Sequence, residues 1–200
     1  MTRPWRSVLY IPASKARALE KARTLPVDAI IFDLEDAVAP PEKASARDTL
    51  AAALAEGGFG ARARLVRING LDTEWGDEDL RATAEMDCEA ILVPKVDGPG
   101  DLDAVTSIAG DVRLWAMMET PRGILNAAAI ADHPALGGFV MGTNDLAKDL
   151  GARFRDDRLP LAVQGEREDL ERGRVFVLQH ALEETGAQQD RALAGLLQRP

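Results

Sequence analysis

Residues 29–36, with the sequence AIIFDLED, join an apolar run to a short acidic stretch. Residues 29–32 are typical of a buried β-strand, and Asp33, Glu35 and Asp36 follow at once. Charged or amide side chains stand at or just after the ends of four later apolar runs: Arg67 and Asn69, then Lys95, then Glu119, then Asn144 with Asp145. A fold in which every strand delivers polar groups at its carboxyl end would explain this order.

Short apolar, β-branched runs predict six strands: residues 8–11, 29–32, 65–68, 90–93, 112–118 and 138–141. Ala- and Leu-rich stretches with helical spacing lie between them: residues 14–25, 42–56, 77–87, 99–109 and 122–131. This alternation, at intervals of about 25 residues, predicts a parallel sheet with helices on its faces. An open doubly wound sheet and a closed barrel both fit the pattern.

The positions of the charged residues favour the barrel, because barrel enzymes carry their functional side chains at the carboxyl ends of the strands. No Gly-rich phosphate loop follows any of the runs, and residues 12–15 lack the glycine spacing of a dinucleotide fingerprint. We therefore expect an α/β fold of the TIM-type (β/α)8 class. It is incomplete, with six recognisable strands in a domain at residues 1–160.

Composition narrows the class of protein. The chain has 200 residues, 46% hydrophobic and 28% charged, with a formal net charge of -9. An acidic chain argues against a nucleic-acid or anionic membrane surface. The sequence shows no signal peptide or membrane span, so we expect a cytoplasmic protein. Cys88 is the single cysteine and forbids an internal disulfide.

The barrel geometry would gather four carboxylates around one opening: Glu35, Asp36, Glu119 and Asp145. Taken singly, each has an ordinary interpretation as a solvated loop carboxylate or a helix cap. Together they would repel one another unless a cation neutralised them. Mg²⁺ suits a site with few protein carboxylates and several waters, and no His or Cys pattern indicates zinc.

Six blocks of this sequence, found in unbroken order, resemble one family. They are residues 6–12, 32–38, 66–69, 93–96, 118–123 and 142–146. They resemble the citrate lyase beta subunit-like and malyl-CoA lyase branch of the HpcH/HpaI aldolase superfamily. The resemblance covers about residues 3–160.

The resemblance implies a barrel that binds Mg²⁺, with Mn²⁺ as a possible substitute, and a CoA thioester. It implies a homo-oligomer, a trimer or a hexamer. By resemblance Glu119 and Asp145 are the metal ligands, and Glu119 also faces the substrate. Arg67 meets the substrate carbonyl, and Glu35 and Asp36 hold metal-bound water and orient Arg67.

The resemblance also places three residues against the CoA part of the substrate: Tyr10, Arg17 and Lys21. Arg17 and Lys21 are four residues apart, so they share a helix face and could meet a phosphate. A solvated pair of basic residues would have the same spacing.

The resemblance stops after Leu161, and residues 161–200 form a divergent tail. Residues 175–178 are its only β-like fragment, but residues 179–184 continue the same pattern with helical spacing, so we expect a helix at 175–182. A second helix is expected at 188–198. The family's C-terminal catalytic aspartate has no match here. Three explanations are open: a truncated or frame-disrupted gene product, a half-barrel completed by another chain, or a paralogue that kept the metal site and lost turnover.

Lyase chemistry on such a thioester needs a metal to chelate the substrate, a cation at the thioester oxygen and a base. Glu119 and Asp145 could meet the first need and Arg67 the second, while the base has no clear owner. We expect a Mg²⁺-dependent carbon–carbon lyase acting on a malyl-, citramalyl- or citryl-CoA type thioester. It would release acetyl-CoA by retro-Claisen cleavage, or run in reverse.

Two alternatives stay open. A relative within the superfamily would cleave free hydroxy-keto acids, although the resemblance at Tyr10, Arg17 and Lys21 favours the thioester branch. The other alternative is a non-catalytic paralogue that binds metal and a CoA ligand, or an interaction subunit.

Overall fold

The computed structural model describes residues 5–152 and the short segment Phe176–Leu178. The strands are β1 Val8–Pro12, β2 Ala29–Asp33, β3 Ala63–Arg67, β4 Ala90–Val93, β5 Leu114–Met118, β6 Leu136–Met141 and β7 Phe176–Leu178. The helices are α1 Ala16–Ala22, α2 Lys43–Glu56, α3 Gly76–Ala84, α4 Pro99–Ala109, α5 Pro121–Leu125, α6 Ala127–Ala131 and α7 Thr143–Asp149. A 3-10 turn, Pro40–Glu42, precedes α2.

The strands form one sheet in the order β1 to β7, and every neighbouring pair is parallel. Each strand therefore lies beside the strand that precedes it in the chain. A doubly wound sheet reverses its strand order at a switch point, whereas a barrel winds in one direction. The barrel-type α/β fold is confirmed. Among the described residues β1 pairs only with β2 and β7 only with β6, so the sheet is open.

The tail departs from its expected structure at one place. Phe176–Leu178 is a strand that pairs with β6, with Phe139 opposite Phe176, so the helix predicted at 175–182 is wrong there. The physical reason is that a short apolar, β-branched run fits the open edge of a parallel sheet. The rest of the tail, including the helix predicted at 188–198, lies outside the described residues.

Local capping residues explain where individual helices begin and end. Pro99 opens α4, and the side chain of Asp101 accepts hydrogen bonds from the backbone amides of Asp97 and Gly98. The helix expected at 122–131 is divided into α5 and α6 at Asn126. No helix within residues 5–152 is both long enough and apolar enough to span a bilayer.

Two apolar clusters lie on opposite faces of the sheet. The outer cluster packs strand residues such as Ile30 and Phe32 against the helices, with Leu50 and Leu54 of α2 among them. The inner cluster fills the concave face: Ala29, Ile31, Ala63, Leu65, Ala90, Leu92, Trp115, Met117 and Val140. Alternation along each strand separates the two sets.

The inner face is apolar at one end and charged at the other. At the amino ends of the strands Trp5 stacks on Trp115, with ring centroids 4.5 Å apart. Two residues beyond Ile31, Leu65 and Met117 lie Asp33, Arg67 and Glu119. The period of two puts these three charged groups on the inner face, at the carboxyl edge of the sheet.

Candidate functional site

Arg67 lies at the centre of the charged edge, and only 3% of its surface is exposed. Its Nε donates to Asp33 Oδ1 at 2.8 Å, and its Nη2 donates to Asp33 Oδ2. The remaining nitrogen, Nη1, lies 2.9 Å from Glu35 Oε2 and 3.6 Å from Asp36 Oδ2. One guanidinium therefore faces three carboxylates, and its bidentate fork is engaged by Asp33.

Asp33 fixes both the arginine and the loop that follows β2. Besides the two bonds from Arg67, its carboxylate accepts hydrogen bonds from the backbone amides of Glu35 at 2.8 Å and Ala37 at 3.2 Å. Sequence reasoning named Asp33 only as part of an acidic stretch and missed it as a site residue. The available signal was its place on the inward-facing series of a wholly buried strand.

Glu119 is held from two sides and is 1% exposed. The backbone amide of Lys95 donates to its Oε1 at 2.9 Å. Lys95 has a φ of 48°, in the left-handed region that side chains other than glycine rarely adopt. On the other side, a Cβ added to Gly142 would lie 2.5 Å from the Glu119 Cβ. The loops after β4 and β6 thus confine this carboxylate.

Both buried glutamates have a raised pKa, although Arg67 and Lys95 lie near them. Burial raises the pKa of Glu35 to about 8, although the charge of Arg67 opposes the rise. Burial likewise raises the pKa of Glu119 to about 7, and the nearby charge of Asp145 adds to it. Glu35 Oε2 accepts no hydrogen bond from the described residues, although Arg67 Nη1 lies 2.9 Å from it. A cation would relieve both carboxylates.

The residues present fit a hard divalent cation. Asp145 lies in the first turn of α7, and its charge acts on both Glu119 and Lys95. Within residues 5–152 no group of three or more His, Cys, Asp or Glu side chains surrounds a common point. Two carboxylates completed by water and substrate suit Mg²⁺, which retains waters, better than zinc, which takes three or four protein ligands.

Tyr10 lies directly beside the arginine inside the barrel. Arg67 Cζ is 5.5 Å from the centre of its ring, and its hydroxyl donates to Met117 Sδ at 3.6 Å. Burial raises the pKa of Tyr10, so the hydroxyl keeps its proton at neutral pH. The structure therefore brings five of the expected residues to one edge: Tyr10, Glu35, Asp36, Arg67 and Glu119, with Asp145 electrostatically coupled to Glu119.

Arg17 and Lys21 lie elsewhere. Both are exposed on α1, in the outer ring of helices rather than inside the barrel. Arg17 is in the first turn, next to the carboxyl edge, and Lys21 is about 6 Å further along the axis at 1.5 Å per residue. Their contact with CoA stays a prediction.

A second buried polar group was missed from the sequence. Lys43, Asn69 and Asp79 are all buried behind the charged edge. The signal for Lys43 was its place on the buried stripe of α2, which continues through Ala46, Leu50 and Leu54. A lysine on an apolar stripe needs an internal partner.

The barrel-type fold carries a buried centre of carboxylates and one arginine, and comparison with known proteins places the chain in a family. The family model HpcH/HpaI aldolase/citrate lyase matches residues 6–164, and the chain belongs to this family.

Named relatives are similar over about the same region. A "(3S)-malyl-CoA thioesterase" of Cereibacter sphaeroides is 62% identical over 158 residues, covering 79% of this chain and 55% of that protein. The "Citrate lyase subunit beta" of Escherichia coli K12 is 34% identical over 171 residues, covering 80% of this chain and 55% of that protein. The chain therefore spans about half the length of the curated relatives it matches.

A solved structure shows the same fold. It is protein CitE from Mycobacterium tuberculosis in complex with magnesium and acetate. Its TM-score is 0.72 at 26% sequence identity, and the match covers 96% of this chain and 81% of that chain.

Proposed function

We propose that the chain supplies the metal and arginine centre of a Mg²⁺-dependent enzyme that hydrolyses a malyl-CoA-type thioester to the free hydroxydicarboxylate and CoA. The buried Arg67 among three carboxylates, beside a second buried glutamate at the barrel's carboxyl edge, carries the proposal. The 62% identity to a (3S)-malyl-CoA thioesterase supports the choice of substrate and reaction.

Glu119 and Asp145 would hold the cation. When bound, Mg²⁺ would supply Lewis-acid polarisation and bind the hydroxyl and carboxylate oxygens of the substrate. Arg67 keeps Nη1 outside the fork that Asp33 occupies, so this edge of the guanidinium can stabilise negative charge that grows on the thioester oxygen.

Hydrolysis also needs a base to activate water. Glu35 Oε2 lies at Nη1 of Arg67 and accepts no hydrogen bond from the described residues. In our proposal Glu35 accepts the proton of the attacking water, and Asp36 orients Arg67 from the solvent side. The water oxygen bonds to the thioester carbon, the C–S bond breaks, and CoA leaves as the thiol after taking up a proton.

Carbon–carbon cleavage is the second candidate, supported by the 34% identity to citrate lyase subunit beta. The same centre would stabilise the enolate that forms when malyl-CoA divides into glyoxylate and acetyl-CoA. No water is consumed in this reaction, so its products differ from those of hydrolysis.

Product analysis separates the reactions. The protein is incubated with (3S)-malyl-CoA and Mg²⁺, free thiol is measured with a disulfide reagent, and glyoxylate is measured as its hydrazone. Thiol without glyoxylate supports hydrolysis, whereas glyoxylate with acetyl-CoA and no thiol supports the lyase. If neither free thiol nor glyoxylate forms, both proposed reactions are overturned. The alternative of a non-catalytic binding protein would then require that malyl-CoA still binds.

The metal ligands are tested by calorimetry with Mg²⁺ on Glu119→Gln. We expect binding to be lost, because a neutral amide replaces a buried anionic ligand. Glu89→Gln is the matched control, since Glu89 is an exposed carboxylate at the amino end of β4. Unchanged Mg²⁺ affinity in Glu119→Gln would remove Glu119 from the metal site.

A further inference from the structure

We infer that Lys43 is a positioning residue for the candidate site. Its ammonium group fixes the backbone of Leu34 and Glu35, and so holds the Glu35 carboxylate against Arg67. The catalytic part of this inference rests on the proposed function, whereas its structural part does not.

Lys43 lies at the start of α2, and only 5% of its surface is exposed. Its Nζ donates to three oxygens: Leu34 O at 2.8 Å, Glu35 O at 2.6 Å and Asn69 Oδ1 at 2.7 Å. An ammonium group has three donors, so all of them are used. Two of the three acceptors are backbone carbonyls of the loop that carries Glu35.

Further hydrogen bonds tie this ammonium group to the helices. Asn69 Nδ2 donates to Leu34 O at 2.9 Å and also to the carboxylate of Asp79, which is fully buried. Arg47 Nη1 donates to the other oxygen of Asp79 at 2.7 Å. The network therefore joins α2 and α3 to the ends of β2 and β3.

The same stripe of α2 is otherwise apolar, so an apolar residue at position 43 would pack there at a smaller desolvation cost. Burial lowers the pKa of Lys43, while the charges of Asp33 and Asp79 oppose the fall. Burial of the Lys43 charge is costly, and its three donors bind oxygens of Leu34, Glu35 and Asn69 at the ends of β2 and β3. We therefore assign Lys43 the role of holding the backbone there in place.

Both backbone polar groups of Glu35, its N–H and its carbonyl, are hydrogen-bonded. Its amide donates to Asp33 Oδ1 at 2.8 Å, and its carbonyl accepts from Lys43. Asp33 also holds the fork of Arg67. Releasing the carbonyl would let the loop turn and would move the Glu35 carboxylate away from Arg67 Nη1.

The test compares Lys43→Met with Arg62→Met. Arg62 is a matched control, because it also donates to two backbone carbonyls, Leu25 O at 2.7 Å and Phe59 O at 2.9 Å, but away from the site. We expect kcat on malyl-CoA to fall roughly 10- to 100-fold in Lys43→Met, as for other residues that orient a site from behind. KM and Mg²⁺ affinity should change less than about threefold, since the metal ligands are not displaced.

Hydrogen–deuterium exchange supplies a readout that needs no turnover. In folded Lys43→Met the amides of Glu35 and Ala37 should exchange faster than in the unsubstituted protein, while Arg62→Met leaves them unchanged. If Lys43→Met does not fold, Asn69→Ala removes one acceptor and keeps the ammonium group, and a smaller change in the same direction is expected.

Unchanged exchange at residues 35 and 37 in whichever of these two variants folds would overturn the inference. An equal fall of kcat in Arg62→Met would overturn it too, because the effect would then be general destabilisation. If the unsubstituted protein releases neither product, the proposed function fails, and the exchange comparison still decides the role of Lys43.

Discussion

At the scale of single residues, Arg67 is the partner that three acidic groups share. Asp33 accepts both hydrogen bonds of the guanidinium fork, and Glu35 and Asp36 approach the remaining nitrogen, Nη1. Burial raises the pKa of Glu35 to about 8, and the charges of Asp36 and Glu119 add to the rise, so that it outweighs the opposing charge of the arginine at 2.9 Å. The arginine is fixed in place by the Asp33 carboxylate, and its third nitrogen, Nη1, faces the carboxylates of Glu35 and Asp36.

Arg67→Lys tests that arrangement. Lysine keeps the charge but loses the planar fork, so it cannot hold Asp33 with two bonds and also present a third nitrogen. We expect the barrier to turnover to rise by about 2–4 kcal/mol, as for loss of one oxyanion donor, with metal affinity retained. Arg23→Lys is the control, because Arg23 pairs with Glu20 and Glu56 on the outer surface. Turnover and substrate affinity like those of the unsubstituted protein would leave Arg67 as a structural ion-pair partner.

The raised pKa of Glu35 predicts how stability depends on pH without metal. A folded-state pKa of about 8, above the unfolded value, contributes stability that is fully present below about pH 4.5 and is lost as the pH rises through 8. Relative to Glu35→Gln, the unsubstituted protein should therefore lose stability from pH 5 to 9, by an amount of the order of a few kcal/mol. Urea unfolding of both proteins with chelator measures it. A pH-independent difference would mean that Glu35 ionises normally.

Sequence position could predict where residues at the ends of strands lie. Glu35, Arg67 and Glu119 stand at the ends of apolar runs, and the common direction of parallel strands puts such residues at one edge of the sheet. Sequence position could not identify Lys43, because that residue acts through backbone carbonyls nine and eight positions earlier in the chain. Contacts of this kind depend on how a helix packs over a loop, which no local pattern encodes.

At the scale of elements, the junction of β6 and α7 leaves no room for a side chain at position 142. Gly142 has a φ of -86°, which any residue can adopt, so its constraint is space rather than backbone conformation. A Cβ there would lie 2.6 Å from Glu119 Oε2 and 3.0 Å from the Met117 Cε. The glycine lets the acidic end of β5 and the start of α7, with Asp145, approach each other.

Gly142→Ala should therefore displace Glu119. We expect destabilisation of about 1–3 kcal/mol, as for overpacking in a core, and weaker Mg²⁺ binding by calorimetry. Gly100→Ala is the control: a Cβ there meets nothing within 4 Å, and in the helix α4 it should stabilise by about 0.5–1 kcal/mol. Full Mg²⁺ affinity in Gly142→Ala would show that Glu119 can move without cost to the metal, or does not bind it.

Element identity followed from local pattern where the segment was long or well capped. The bounds of α4 agree with the pattern, because Pro99 and Gly110 mark its ends. The segment at 122–131 was less predictable, since the Asn126 side chain donates to the carbonyl of Asp97 and interrupts the helix. At residues 176–178 the tertiary partner, the free edge of β6, decided between strand and helix.

At the scale of the whole molecule, strand order is what the sequence left open. Alternating strands and helices are compatible with sheets wound in one or in two directions, because each crossover is local. The charged residues after successive strands favoured one direction, since only a barrel brings all of their carboxyl ends around one opening. The inner apolar cluster, closed by Trp5 on Trp115, shows the concave face that such winding creates.

The open sheet predicts association in solution. Within the described residues β1 and β7 each pair on one side only, and unpaired parallel edges offer backbone groups to another chain. We expect the mass from light scattering to rise with concentration.

Leu125, which is 87% exposed, offers a different route to association through its apolar surface. Association through the edges should therefore persist in Leu125→Gln, and its loss there would assign the contact to the helix surface. A constant monomer mass that accompanies full turnover of malyl-CoA would contradict the prediction, because it would show that the edges are covered within one chain.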